Sequence, residues 1–214
     1  MPKAVIFDCD GVLVDSEPLT DMVIAKNLAR YGLTLSVTQI SGLFLGGTMA
    51  GVGDTARKMG ADLPEDWLDD IYDEIFARLA EGTDLISGIA GVLDRLDVAG
   101  IPYAVGSNGP HRKMEITLGQ HPRIYARLTN RIFSRQDVAS PKPAPDLYLH
   151  AARALNIAPK DCVVIEDSST GVRAARAAGM TCFGYAPNGD SAALEAQGAH
   201  IFHDMCDLPA LLGL

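Results

Sequence analysis

The chain has 214 residues, of which 48% are hydrophobic and 21% charged, and its formal net charge at neutral pH is −9. This length is enough for one well-packed core, or for one core together with a small second domain. The acidic balance argues against a nucleic-acid-binding protein, which needs a basic face, whereas a small anionic substrate stays compatible with a local site of opposite charge.

The first predicted strand is AVIF, residues 4–7, and Asp8, Asp10 and Gly11 follow it directly. The run is continuously apolar, as is typical of a strand in a parallel sheet that is covered on both faces. Two carboxylates one residue apart repel each other. The pair therefore indicates either a turn that leads into a helix or a site that uses the charge.

Helical patterns without any strand pattern fill residues 15–82. Helices are predicted over 18–32, 52–60 and 64–82, and in the last of these large apolar residues recur every four positions, at Trp67, Ile71, Ile75 and Leu79. Such a stripe is typical of a helix packed in a core. We expect residues 15–82 to form a helical cap domain, which carries 12 acidic against 5 basic residues.

Strands and helices alternate through the rest of the chain. The predicted strands are 101–106, 131–133, 162–165 and 180–185. The predicted helices are 88–100, 144–157 and 170–180. This alternation predicts an α/β fold with a doubly wound, Rossmann-like parallel sheet. We expect residues 1–14 and 83–214 to form this core domain.

Polar side chains follow the later strands as they follow the first. Ser107 and Asn108 come after the second strand, Lys142 lies in SPKPAPD after the third, and Glu166 and Asp167 follow the fourth. Each stretch taken alone is also compatible with a turn or a helix start. In an open parallel sheet, however, ligands bind beyond the carboxyl ends of the strands, so all of these groups are expected at one rim.

The predicted set is chemically coherent. Several carboxylates with few histidines offer hard oxygen ligands, which favour Mg²⁺ over zinc. A lysine, a hydroxyl and loop amides are what a phosphate dianion requires. Asp8 is then the candidate nucleophile, which forms an aspartyl-phosphate, and Asp10 the candidate group that transfers protons.

Four stretches together resemble the signatures of the haloacid dehalogenase-like superfamily: DCDGVLVDSE, Ser107 in VGSNG, Lys142 in SPKPAPD, and VVIEDSSTG. Their order and spacing extend over nearly the whole chain. The helical insertion resembles the small cap of the β-phosphoglucomutase-like branch. The resemblance implies a phosphohydrolase whose cap closes over the core, excludes water and selects the substrate.

The resemblance also implies a role for each matching residue. Asp8 would attack phosphorus, and Asp10 would act first as an acid and then as a base towards water. Mg²⁺ would be held by Asp8, by the backbone carbonyl of Asp10 and by Asp167, with Glu166 near the metal. The phosphoryl group would be oriented by Ser107 and the Asn108 amide and neutralised by Lys142.

Two departures from the phosphomutases of this branch favour hydrolysis. Thr20 stands where those enzymes carry a cap histidine, and residues 42–51, GLFLGGTMAG, contain no basic residue. The expected function is therefore Mg²⁺-dependent hydrolysis of a small phosphorylated metabolite, such as a sugar or sugar-acid phosphate. A phosphomutase of the same fold and a non-catalytic phosphometabolite-binding protein are the alternatives. Specificity is expected from residues 46–48 and from 111–113, which could bind an anionic substrate group.

No stretch reaches the ~20 apolar residues that a membrane span needs, and acids interrupt the opening MPKAVIFDCD before a signal peptide could form. The four cysteines include no CxxC pair, and Cys9 and Cys162 lie in strand-like runs where a thiol packs as a small hydrophobe. We therefore expect a cytoplasmic protein without nucleic-acid or membrane partners. Nothing in the pattern indicates an oligomeric state.

Overall fold

A computed structural model describes residues 1–44 and 48–214. The strands are β1 Ala4–Phe7, β2 Tyr103–Ser107, β3 Ile132–Ser134, β4 Cys162–Glu166, β5 Thr181–Tyr185 and β6 His200–Phe202. The helices are α1 Glu17–Arg30, α2 Val37–Phe44, α3 Met49–Lys58, α4 Trp67–Glu81, α5 Ile89–Val98, α6 His111–Gly119, α7 Pro122–Arg127, α8 Asp146–Ala154, α9 Ser169–Ala177, α10 Ala192–Ala196 and α11 Leu208–Leu212.

The six strands form one parallel sheet in the order β3-β2-β1-β4-β5-β6. Val5 of β1 pairs with Tyr103 of β2 on one side and with Val163 of β4 on the other. The chain thus winds outward from β1 in one direction and from β4 in the other, so the order reverses between these two strands. The predicted doubly wound α/β fold is confirmed, and ligands bind at such a reversal point in sheets of this kind.

Helices cover both faces of the sheet. Val5 and Phe7 of β1 pack into one buried cluster, with apolar residues of α5, α6 and α11. Ala4 and Ile6 point to the opposite face and pack into a second cluster with residues of α8 and α9. Because successive residues of a strand face opposite sides, burial on both sides requires every position of β1 to be apolar.

Helices α1 to α4 lie between β1 and β2 in the chain and enclose a third apolar cluster. The stripe predicted in residues 64–82 lies in this cluster, with Trp67, Ile71 and Leu79 at most 1% exposed. The indole Nε1 of Trp67 donates a 2.7 Å hydrogen bond to Oδ1 of the buried Asn27. Interpretation of the stripe as core packing is therefore confirmed.

Several short elements were not predicted. They include the three-residue strand β6 and the five-residue helices α10 and α11, all of which follow residue 185. The buried, unpaired Cys9 and Cys162 confirm the expectation that these thiols pack as core hydrophobes. Within residues 1–44 and 48–214, no helix is both long enough and apolar enough to cross a bilayer.

Candidate functional site

The ends of β1 and β4 meet at the reversal point of the sheet and bring two acidic stretches together. The Asp8 amide donates a 2.9 Å hydrogen bond to the Ile165 carbonyl, which ties the first loop to the last residues of β4. Gly11 turns the chain with a φ of +71°, and a Cβ there would lie only 1.8 Å from Oδ2 of Asp167. This position therefore requires glycine for both its conformation and its close approach to a carboxylate.

Lys142 joins the two acidic stretches through buried ion pairs. Its Nζ lies 2.6 Å from Oδ1 of Asp8 and 2.7 Å from Oε1 of Glu166. The Tyr148 hydroxyl, from α8, donates a 2.7 Å hydrogen bond to the same Glu166 oxygen. Burial acts to lower the pKa of Lys142, but the charges of Asp8 and Glu166 outweigh it and raise the pKa. Lys142 is thus a fixed cation beside Asp8.

The other oxygen of Glu166 is held equally firmly. Oε2 accepts hydrogen bonds from the Asp167 amide at 3.0 Å and from the amide and hydroxyl of Ser168 at 2.9 Å each. A Cβ on Gly171 would lie 1.6 Å from Oε1, so glycine makes room for this carboxylate. Burial acts to raise the pKa of Glu166, yet Lys142 and the hydrogen bonds hold it below its ordinary value.

Three carboxylates at this point are close enough to share a cation. One oxygen each from Asp8, Glu166 and Asp167 lie within 4.8 Å of one another. Burial, with the negative charge of its neighbours, raises the pKa of Asp8 to about 7 and that of Asp167 well above its ordinary value. Such crowding of hard oxygen donors fits a divalent metal ion, which would offset the repulsion.

The carboxylate of Asp10 has different partners. Its Oδ1 lies 2.8 Å from Nζ of Lys113, and it also accepts a hydrogen bond from the Ser16 hydroxyl. Burial acts to raise the pKa of Asp10, but the charge and hydrogen bond of Lys113 outweigh it and lower the pKa. Asp8 and Asp10 are therefore close in sequence but opposite in titration, which is the condition for separate chemical roles.

Ser107 and Asn108 lie at the same rim, at the end of β2. Ser107 is buried, with 1% of its surface exposed. Its hydroxyl accepts a 2.9 Å hydrogen bond from the Gly109 amide. The Asn108 side chain accepts from the Lys142 amide at 3.0 Å and donates to the Lys142 carbonyl at 3.2 Å. Asn108 therefore fixes the loop that carries Lys142, a contact that sequence reasoning missed.

A cavity of about 130 Å³ lies at this rim, and its walls come from the sheet edge and from α1, α3 and α4. All seven predicted site residues line it: Asp8, Asp10, Ser107, Asn108, Lys142, Glu166 and Asp167. Helices α1 and α4 add residues that were not predicted as site residues, among them Glu17, Asp21 and Tyr72. The sequence did contain a signal for Glu17 and Asp21, because residues four positions apart on a helix lie on the same face.

The basic stretch 111–113 separates into three environments. Lys113 lines the cavity and pairs with Asp10. His111 instead lies 2.9 Å from Asp137, and the Arg112 guanidinium lies over the ring of Phe76, 5.3 Å from its centroid. Of the predicted specificity loop 46–48, Thr48 lines the cavity, whereas residues 46 and 47 lie outside the described residues.

Comparisons with known proteins give a family match and several relatives. The family model for the haloacid dehalogenase-like hydrolase matches residues 2–179. The chain is 29% identical over 211 residues to the 6-phosphogluconate phosphatase of Escherichia coli (strain K12), covering 98% of this chain and 94% of that protein. It is 31% identical over 180 residues to hexitol phosphatase A of the same organism, covering 83% and 80%. The crystal structure of a HAD family hydrolase from Deinococcus radiodurans R1, with bound phosphate and sodium, matches with a TM-score of 0.81 and 36% identity, covering 99% of this chain and 95% of that one.

Proposed function

Because the chain belongs to the haloacid dehalogenase-like hydrolase family, we propose that it is a Mg²⁺-dependent phosphatase that acts through an aspartyl-phosphate intermediate. Two relatives that match most of the chain are named phosphatases, and the chain is a phosphoric monoester hydrolase. The substrate class is a small phosphorylated metabolite, such as a sugar or sugar-acid phosphate. The observation that carries the proposal is the buried Asp8 carboxylate, which lies 2.6 Å from Lys142 at the reversal point of the sheet.

In the first half-reaction, one oxygen of Asp8 attacks phosphorus and the bond from phosphorus to the leaving oxygen breaks. Asp10 donates a proton to that oxygen, so the alcohol leaves neutral. Lys113 favours the ionised form of Asp10 in the free site. The arriving phosphate dianion adds negative charge nearby, which favours the protonated form that the first step needs.

In the second half-reaction, Asp10 accepts a proton from water, and the water oxygen attacks the phosphorus of aspartyl-phosphate. Asp8 is released as a carboxylate, and inorganic phosphate leaves. Lys142, held by Glu166 at 2.7 Å, offsets the negative charge of the phosphoryl oxygens in both steps. The same group is oriented, in this proposal, by the hydroxyl of Ser107 at the end of β2.

We propose Asp8, Asp167 and the backbone carbonyl of Asp10 as the groups that hold Mg²⁺, with Glu166 adjacent. The cation would lower the repulsion between the attacking carboxylate and the phosphate. The structure of the Deinococcus radiodurans relative holds bound phosphate and sodium, which supports the binding of an anion and a cation by a protein of this fold. Helices α1 to α4, within residues 15–82, are the proposed cap that closes over this site.

Magnesium affinity is expected to increase with pH. Metal ligands must be deprotonated, and burial raises the pKa of Asp8 to about 7, so protons compete with the cation below that pH. If binding releases one proton, the affinity for Mg²⁺ falls by up to about tenfold for each unit by which the pH is lowered below that pKa. Calorimetric titration with MgCl₂ from about pH 5.5 to pH 8 measures this. Affinity that is constant or falls as the pH rises would contradict the proposed ligands.

The reaction itself is tested by following both products. Incubation of phosphorylated metabolites with the protein and Mg²⁺ is expected to give free phosphate and the dephosphorylated alcohol in equal amounts. A phosphomutase would instead accumulate an isomeric phosphate ester, and a binding protein would release nothing. Thr20 favours hydrolysis, because its hydroxyl hydrogen bonds to the Ser16 carbonyl at 2.9 Å and is no substitute for a histidine acid or base. An isomeric ester as the main product would overturn the proposal.

A further inference from the structure

The cavity has one wall that the proposed mechanism leaves unused. It is formed by one face of α1, where Thr20 and Asp21 line the cavity one helical turn after Glu17. Farther along the same face, Ile24 lines the cavity with Val52 and Ile75, from α3 and α4. A substrate whose phosphate lies at Asp8 would place its leaving group against this wall.

Acidic residues strongly outnumber basic residues in the lining of the cavity. Among the lining residues that the structure describes, six are acidic and two are lysines. Both lysines are already paired with carboxylates, Lys142 with Asp8 and Glu166 and Lys113 with Asp10. Neither arginine nor histidine occurs among the described lining residues. Among the described lining residues, no basic side chain is therefore left unpaired to bind a second anionic group of the substrate.

The two acids of this wall ionise over different pH ranges. Burial, followed by the charge of Asp10, raises the pKa of Glu17 to about 8. Burial raises the pKa of Asp21 to about 6. Asp21 is therefore ionised at about pH 8, whereas Glu17 is only partly ionised there, so further negative charge beside Asp21 is unfavourable. Hydroxyl groups, in contrast, can donate hydrogen bonds to carboxylates.

We infer that Asp21 acts as a charge filter, which selects phosphate monoesters of neutral polyols and rejects those whose leaving group carries a second anion. This inference rests on the proposed function and narrows it, because it favours sugar or polyol phosphates over sugar-acid phosphates and bisphosphates. The two curated relatives do not decide this point, since one is named for a neutral substrate and the other for an acidic one. Specificity here comes from repulsion as much as from attraction.

The test compares sorbitol 6-phosphate with 6-phosphogluconate, two open six-carbon chains with the same phosphate position. They differ at the far end, where one has a hydroxymethyl group and the other a carboxylate. Phosphate release is measured with Mg²⁺ at about pH 8, at which Asp21 is ionised. We expect kcat/KM for sorbitol 6-phosphate to be higher by roughly 30-fold or more.

Asp21→Asn is expected to reduce that ratio by about fivefold or more, since it removes one wall charge and leaves the shape unchanged. The matched control is Asp69→Asn, an exposed residue of α4 outside the cavity, which makes the same change in net charge and should leave the ratio unaltered. A merely structural effect of Asp21→Asn would lower both values together without moving the ratio, and would overturn the assignment of the filter to Asp21.

The failure of this inference is distinguishable from that of the proposed function. If kcat/KM for 6-phosphogluconate equals that for sorbitol 6-phosphate, and Asp8→Asn abolishes both activities, the proposed phosphatase function stands and the charge filter is wrong. If no phosphate ester releases phosphate in the presence of Mg²⁺, the proposed function fails first.

Discussion

Replacement of Asp8 by asparagine is expected to abolish phosphate release, with a loss of at least ~10⁴-fold in kcat. An amide cannot attack phosphorus as a carboxylate does. The other carboxylate beside Lys142, that of Glu166, is held by hydrogen bonds to both of its oxygens. The substitution is nearly isosteric, and Lys142 keeps its 2.7 Å ion pair with Glu166. The fold should therefore survive, which thermal unfolding can verify.

The matched control for Asp8→Asn is Asp62→Asn, an exposed residue in the loop between α3 and α4. It makes the same change in charge away from the cavity, and its turnover should equal that of the unmodified protein. Activity of Asp8→Asn within about tenfold of that control would contradict the assignment of Asp8 as nucleophile.

Asp10→Asn is expected to slow the hydrolysis of alkyl phosphates by roughly 10²- to 10⁴-fold, the usual contribution of acid–base catalysis. The loss should be smaller for an aryl phosphate such as p-nitrophenyl phosphate, because its leaving group departs without protonation. Comparison of kcat for the two ester types in both proteins isolates the proton donated in the first half-reaction. Equal losses for both esters would contradict a role of Asp10 as the acid.

A structural effect of this second substitution must be separated from the chemical one. Asp10 pairs with Lys113 at 2.8 Å and accepts a hydrogen bond from Ser16. Asparagine keeps the hydrogen bond from Ser16 but leaves the largely buried Lys113 with less compensation. A lower unfolding temperature is therefore expected, while a loss that depends on the leaving group reports chemistry alone.

The sheet was predictable because its strands are short, continuously apolar and followed by polar groups. AVIF and CVVI carry this signal, and both faces of β1 are buried as the run implied. The strand β6 and the helices α10 and α11 carried too little pattern, since three to five residues do not establish a period. Strand order is a property of long-range pairing, which no local pattern contains.

The residues of the candidate site could be predicted from the sequence, but the contacts between them could not. The rule that parallel strands bring their ends to one rim was enough to group Asp8 with Lys142, although 134 positions separate them. It could not show that Asn108 grips the backbone of Lys142, or that Tyr148 donates to Glu166. In sequence, Tyr148 is one more apolar position of a helix, and Glu17 is an ordinary acid in a first helical turn.

The central claim is that hydrolysis proceeds by two successive displacements, first by Asp8 and then by water. The stereochemical course at phosphorus tests it most directly, with a phosphate ester made chiral by oxygen isotopes. Each in-line displacement inverts the configuration, so two displacements predict overall retention in the phosphate released. Inversion would mean that water attacks the substrate in a single step, and it would contradict the account.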